Sequence, residues 1–399
     1  MSEVKATNSR APAPLEGVRR ALRNVGRGPG SLLVITFVTV GVLVMVAHRA
    51  THFLEVPRLE RIAFDIVGDV VFVKTAWSGG NPYQPLESMV EEFAGSALVE
   101  GWPSKPPAVA VLMAPLRFTD PVGAVRAMTW INIGALLAVV ILTARLAGTG
   151  WAPWLLVAPL VAATRLVQQG FSYATPSFIV SVLVLSTWVL TRRADRVAYG
   201  LPLGLASALR VWPALLLVPL ILKGRRRTAF GTIAAALLAT AGGLAILDWR
   251  FNDVWGGLVT AAAYWRDNSG NGSLALALDT LGSGDLTVMI LGVVTAGLML
   301  LIRRSTPLDQ ALAFAIVVGV TVSPLSWAHY SLVTLPVFAL AWRAHRFRWA
   351  LVMAAVIIGS QVAGFAVLVG RVALLVAVIV WLRSATRLES PDLPVSQSP

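Results

Sequence analysis

Apolar residues run through this chain in long blocks broken by short polar stretches. The blocks fall at 31–47, 106–118, 122–145, 149–165, 173–191, 198–222, 228–247, 287–302, 308–323, 328–342 and 349–383, the last long enough for two helices. A helix needs about 20 apolar residues to cross a bilayer, and several blocks approach that length. The apolar–polar alternation of a membrane barrel is missing. The pattern therefore predicts an all-α polytopic membrane protein with roughly 11–13 transmembrane helices. One block is interrupted, from Arg210 to Pro213. Between 106 and 192 the blocks do not alternate sides cleanly, which predicts a short broken or re-entrant piece covered by protein or water.

Composition points the same way: 56% of residues are hydrophobic, 13% are charged, and the mean hydropathy is +0.73. Ordinary soluble domains carry about 25% charged residues. The net charge of +13 is gathered in short clusters: Arg19, Arg20, Arg23 and Arg27, then "RRADR" at 192–196, "KGRRR" at 223–227, Arg303–Arg304 and "RAHRFR" at 343–348. Basic clusters between apolar blocks mark cytoplasmic loops and headgroup contact, so membrane lipids are the expected partners and nucleic acid is not. The first block, Ser31 to Ala47, is followed by "HRATHF", which lacks a small-x-small cleavage site. An uncleaved anchor with a cytoplasmic N-terminus follows.

Acidic residues complete the map. Of 20, eight lie between His48 and Pro107 and five between Asp248 and Leu286. Both loops are predicted to face the exterior. The chain then divides into a basic cytoplasmic tail (1–30), a membrane domain (31–385) with external loops 48–107 and 248–286, and a polar disordered tail (386–399).

Candidate chemistry gathers in those loops. Ile62, Ile66, Val70 and Val73 recur at helical spacing, so 61–76 reads as an amphipathic helix lying near the membrane surface. Asp65 and Asp69 share one face of it, and "SGGNPY" (78–83) ends it at Gly79 and Gly80. The pair either solvates that face or supplies a general base or cation site. Arg210 interrupts an apolar block, where an ionisable side chain costs about 2.5–3.5 kcal/mol. It either reaches water at a turn or meets an anion, for which guanidinium and phosphate are matched. Lys105, in "PSKPP", is a snorkelling lysine or a ligand; His329, between Trp327 and Tyr330, is a packing residue or a catalyst. The chain has no cysteine, no H-E-x-x-H, no D-x-D, no P-loop and no dinucleotide fingerprint, so neither metal nor cofactor is expected.

In order along the chain, Asp65-Ile66, "GGNPY", "PSKPP", Gln168–Gln169, "RVWP", "NSGNGS" and "SPLSWAHY" resemble the pattern of glycosyltransferase family 87, from about 31 to 345. The sequence departs from that pattern at Asp69, where the family has Tyr, and at Arg210, where it has Lys. The resemblance implies a GT-C-type bundle with external juxtamembrane helices in the plasma membrane. It also implies an inverting transfer from a polyprenyl-phosphate sugar at the external face. The members it is most similar to use polyprenyl-phosphate-mannose as donor and a phosphatidylinositol mannoside as acceptor, forming an α-(1→2) linkage; arabinofuranosyl transfer belongs to the same family. Carried onto this sequence, the resemblance assigns Asp65 as base and His329 as its catalytic companion. Arg210, Lys105, Gln168 and Gln169 fall to the donor phosphate. Asp69, Tyr83, Trp102, Asn268, Trp327 and Tyr330 fall to sugar and acceptor. A free aspartate titrates near ~3.9, and burial beside Phe64 and Ile66 is expected to make Asp65 more basic.

Two rival classes carry different expectations. A transporter of lipid-linked sugars would place its polar residues on broken helices at mid-membrane, often in related halves. Here polarity concentrates at one face and no repeat is visible. A structural scaffold would tolerate replacement of Asp65, Arg210 and His329.

Overall fold

The computed structural model describes residues 64–93, 101–148, 165–266, 273–275, 278, 281–282, 286–323, 328–337, 340 and 365–386. The first apolar block, both tails and the "RAHRFR" cluster lie outside them. Among the described residues the chain is helical, without strands. In chain order the helices are α1 (Phe64–Trp77), α2 (Leu86–Phe93), α3 (Ala108–Leu112), α4 (Pro121–Ala147), α5 (Arg165–Ser172), α6 (Ser177–Thr191) and α7 (Leu201–Leu209). They continue as α8 (Leu217–Leu222), α9 (Arg226–Ile246), α10 (Phe251–Arg266), α11 (Thr287–Met299), α12 (Leu308–Val322) and α13 (Phe365–Thr386). Short 3-10 segments at Ala114–Phe118, Val197–Gly200, Trp212–Leu216 and Ala328–Thr334 link them.

Local signals set several boundaries. Asp120 caps α4, its carboxylate accepting from Gly123 N, with Pro121 in the first turn; Gly148 closes it at φ 67°. Within the stretch 106–192, α3 is short and gives way at Met113 to the 3-10 turn 114–118. The interruption at Arg210 is also present: α7 ends at Leu209 and Arg210 is extended, at φ −146° and ψ 131°.

Among the described residues two helices, α4 and α9, are long and apolar enough to cross a membrane; α6, α11 and α12 are shorter apolar helices. The 21 residues of α9 extend about 32 Å, against a hydrocarbon core of about 30 Å. Its outer face exposes Phe230, Leu237 and Leu238, and α11 exposes Val288, Met289 and Val293. A surface this apolar suits lipid rather than water. On its inner face α9 meets the 3-10 segment Val197–Gly200, just before α7, backbone to backbone. A Cβ on Gly200 would lie 2.0 Å from Thr228 O, and one on Gly231 2.0 Å from Val197 O. Small residues allow this approach, and packing of this kind is what associates helices in lipid.

The two ends of the bundle differ in chemistry, as the charge map predicts. At one end the basic clusters are tied together. Lys223 Nζ donates to the carbonyls of Arg303 (2.7 Å) and Arg304 (2.6 Å), and Asp195 accepts from Arg227 N and Thr228 N at the start of α9. Arg192, after α6, makes a two-pronged ion pair with Asp309 in the first turn of α12, and Trp188 Nε1 donates to the same carboxylate (2.9 Å). At the far end of α9 the two acidic loops meet. Arg250 donates to Gly79 O (3.1 Å), and Trp265 Nε1 donates to Trp102 O (2.7 Å).

Candidate active site

α1 differs from the surface helix expected. Ile66, Val67, Val70, Val71, Phe72 and Val73 are all fully buried. Between the periodic positions Val67, Val71 and Phe72 are apolar as well and Asp69 is buried with them, so little of the helix is left to lie on a membrane surface, and α2, α3 and α4 close around it. Gly79, at φ 82°, ends it as predicted, with Gly80 N returning to Thr75 O at 2.9 Å.

Asp65 and Asp69 lie one turn apart, but only Asp65 reaches open space: its side chain is 28% exposed and that of Asp69 1%. Between them sits Lys105, itself buried. Its Nζ lies 2.8 Å from Asp69 Oδ1 and 4.0 Å from Asp65 Oδ1, and donates to Asp65 O at 3.4 Å. The Asp69 contact is an ion pair rather than an aligned hydrogen bond, and Asp69 Oδ2 has no hydrogen-bond partner among the described residues. Lys105 is held from behind, where Tyr83 OH donates to its carbonyl at 3.1 Å.

Arg210 comes from the break after α7 and His329 from the 3-10 turn 328–334. The Arg210 guanidinium lies 5.6 Å over the Tyr330 ring. The His329 ring stands edge-on to Tyr330 at 4.9 Å and to Tyr173 at 6.3 Å. His329 is buried, and neither ring nitrogen has a hydrogen-bond partner among the described residues; the same holds for Arg210 Nε. A buried imidazole and a buried guanidinium thus keep polar atoms without a hydrogen-bond partner among the described residues, and both act electrostatically on Asp65.

The electrostatics tie these groups to Asp65. Burial by itself raises a carboxyl, but Lys105 and Arg210, with His329 and a hydrogen bond from the Thr175 hydroxyl, outweigh it and hold Asp65 below the usual carboxylate range. The expectation that burial would make Asp65 more basic is corrected here, since the apolar neighbours are opposed by two cations. Asp69 goes the other way. Burial raises it, Lys105 opposes, and the Asp65 charge adds to the rise. Two aspartates one turn apart are therefore shifted in opposite directions.

A sequence profile described as glycosyltransferase family 87 matches residues 105–326, more than half of the chain. The chain belongs to glycosyltransferase family 87. Lys105, Gln168, Gln169 and Arg210 fall within the family 87 match; Asp65 and His329 flank it. Among curated relatives, the polyprenol-phosphate-mannose-dependent alpha-(1-2)-phosphatidylinositol mannoside mannosyltransferase of Mycolicibacterium smegmatis is 28% identical over 208 residues, 47% of this chain and 46% of that protein. The protein of the same name in Mycobacterium tuberculosis is 26% identical over 274 residues, 60% and 62% of the two chains. The matches thus span about half to three-fifths of these relatives' length. No solved structure matches the chain significantly.

The remaining candidate residues of this family 87 chain fall into three groups. Gln168 and Gln169 lie on α5, which packs against the turn carrying His329. Trp102 sits in the Lys105 loop beneath Trp265, and Tyr83 is buried edge-on to Phe72 (5.3 Å) with its hydroxyl committed to Lys105 O. Asn268 and Trp327 lie outside the described residues. Sequence reasoning missed Thr175, the hydroxyl partner of Asp65, although "FSYATP" contains it. Ala174, at φ 45°, turns the backbone there, and Thr175 Oγ1 also meets Ser177 Oγ at 2.9 Å. A small residue and a hydroxyl before proline were the available signal. Arg371 of α13 was also missed; it donates to Ser331 Oγ at 3.3 Å and so fastens the turn two residues after His329.

Proposed function

We propose that this chain transfers mannose, with inversion, from polyprenyl-phosphate-mannose to a hydroxyl of a phosphatidylinositol mannoside acceptor, forming an α-(1→2) linkage. The observation that carries the reading is the convergence of Asp65, Lys105, Arg210 and His329 on one partly open carboxylate in a family 87 chain. The names of the two relatives support the donor and acceptor. The apolar exterior and the segregated charge support a multi-pass protein of roughly 11–13 spans in the plasma membrane, with the Asp65 end facing outward.

Each group has a place in the step. The acceptor hydroxyl gives its proton to an Asp65 carboxylate oxygen as its own oxygen attacks the anomeric carbon. The bond from that carbon to the phosphate oxygen breaks, and its electron pair leaves on the lipid phosphate. A base positioned this way contributes about 10²–10⁴-fold. Charge grows on the phosphate as it departs, and Arg210, whose Nε is unpartnered, is set to receive it. His329 offers a ring nitrogen to the phosphate or a sugar hydroxyl. The rings of Tyr330 and Tyr173 stand edge-on to His329 and can wall a bound sugar. A depressed Asp65 pKa keeps the base ionised at neutral pH.

The test is purified protein in liposomes, given polyprenyl-phosphomannose and a tetramannosylated phosphatidylinositol. Wild type should yield the pentamannosyl product and Asp65→Asn should not. Turnover with decaprenyl-phosphate-arabinose alone would move the donor assignment to arabinose. Transport of donor without product would overturn the transferase reading.

A further inference from the structure

Asp69 and Lys105 form a buried pair that no transfer step above uses. Asp69 has almost no exposed surface, so it cannot meet an acceptor sugar. Lys105 is pinned at three points: Asp69 Oδ1 at 2.8 Å, Asp65 O at 3.4 Å, and Tyr83 OH on its own carbonyl at 3.1 Å. Its ammonium nevertheless stops 4.0 Å from Asp65 Oδ1, outside hydrogen-bond reach. A lysine on a flexible stem would close on an accessible carboxylate unless something nearer held it. Closing would hand the Asp65 lone pairs to Lys105 and withhold them from an incoming hydroxyl.

We infer that Asp69 is a positioning residue whose buried carboxylate holds the Lys105 ammonium off Asp65, leaving the Asp65 oxygens free for the acceptor proton. Lys105 then acts as a fixed charge behind the base rather than as a ligand of the donor phosphate. Asp69 acts on the reaction through Lys105. The inference rests on the reading of Asp65 as base, and it gives Asp69, a residue that departs from the family pattern, a task of its own. The other groups facing Asp65 are Arg210 from the α7 break, His329 and Tyr330 from the last 3-10 turn, and the neutral Thr175 hydroxyl. None of them pairs with Asp69 closely enough to replace Lys105 as its partner among the described residues.

The experiment is steady-state kinetics of the full chain in liposomes, with Asp69→Asn, Lys105→Met and the double variant. Asp69→Asn should lose roughly tenfold or more in kcat with KM for either substrate nearly unchanged, because Lys105 swings onto the base. In Lys105→Met the acid limb of kcat/KM should move to higher pH, since the cation nearest Asp65 is gone. The double variant should be no slower than Lys105→Met, because Asp69 has nothing left to hold. Wild-type kcat in Asp69→Asn would overturn the inference. So would a loss confined to KM, which would place Asp69 on a substrate, or a double variant slower than Lys105→Met by the full Asp69→Asn factor. Should Asp69→Asn fail to fold, the double variant, whose buried pair is neutral, decides alone: equal to Lys105→Met it supports the inference, slower it refutes it. An Asp65→Asn enzyme that still turns over would instead unseat the base itself.

Discussion

Replacing Gly243 by alanine tests whether the long helix α9 sets the position of the Lys105 loop. An ideal Cβ at 243 would stand 2.0 Å from Pro107 O, 2.3 Å from Pro107 C and 2.8 Å from Ala108 N. Cβ atoms essentially never approach closer than 3.0 Å, so the two backbones must part by about 1.0 Å, the difference between 3.0 and 2.0. All three atoms are main chain, and no side chain can rotate out of the way. Pro107 lies two residues beyond Lys105, whose 2.8 Å and 4.0 Å separations from the two aspartates define the site. Overpacking of this kind costs about 1–3 kcal/mol of stability. A displacement of about 1 Å near reacting groups can cost about 10²-fold in rate. Gly243→Ala should therefore lower both the melting temperature and kcat, read by thermal unfolding and by mannosyl transfer in liposomes. Gly242→Ala is the control, because its Cβ meets only the Val111 side chain at 3.7 Å, an ordinary contact. A Gly243→Ala enzyme as fast as Gly242→Ala would refute the reasoning.

Other outcomes follow from the same geometry. Arg210→Met should lose about 10²-fold or more in turnover, and Arg210→Lys less, because charge is kept while the guanidinium fork is lost; single-turnover measurements separate this from binding. Asp195→Ala removes the carboxylate that accepts from the second and third N–H groups of α9, and should cost about 1 kcal/mol in detergent unfolding. Burial alone would raise the Asp195 pKa, but the Thr228 and Arg227 amides and the Thr228 hydroxyl outweigh it and hold it low. Its contribution is accordingly full above the unfolded value of about 3.9 and is lost as pH falls through the lower folded value. The difference from wild type should close in acid.

Much of the helical layout could be read from residue order. Asp120-Pro121 and Gly148 bound α4, and Arg210 stands at the break between α7 and the next 3-10 turn. The charge clusters foretold which loops come together, because like-sided loops share a solvent. What the sequence could not carry were relations between distant residues. Whether α1 lies on a surface or inside depends on the helices that close round it, and its own apolar content fits both. The direction of the Asp65 shift needed Lys105 and Arg210 in place, since burial and charge act oppositely. The Asp69–Lys105 pair joins positions whose meeting no local pattern encodes, and Thr175 was hidden among ordinary turn residues.

The clamp on Asp309 makes α12 a rod of set length. Its first turn is anchored by Arg192 and Trp188, and every residue from Ala311 to Val322 is enclosed. Deleting one residue would swing all that follows by about 100° and draw it back about 1.5 Å. Within α12 the number of residues is thus more tightly constrained than their identities. One aliphatic can stand in for another there, but a change of count would turn every later residue of the helix away from the neighbours that enclose it.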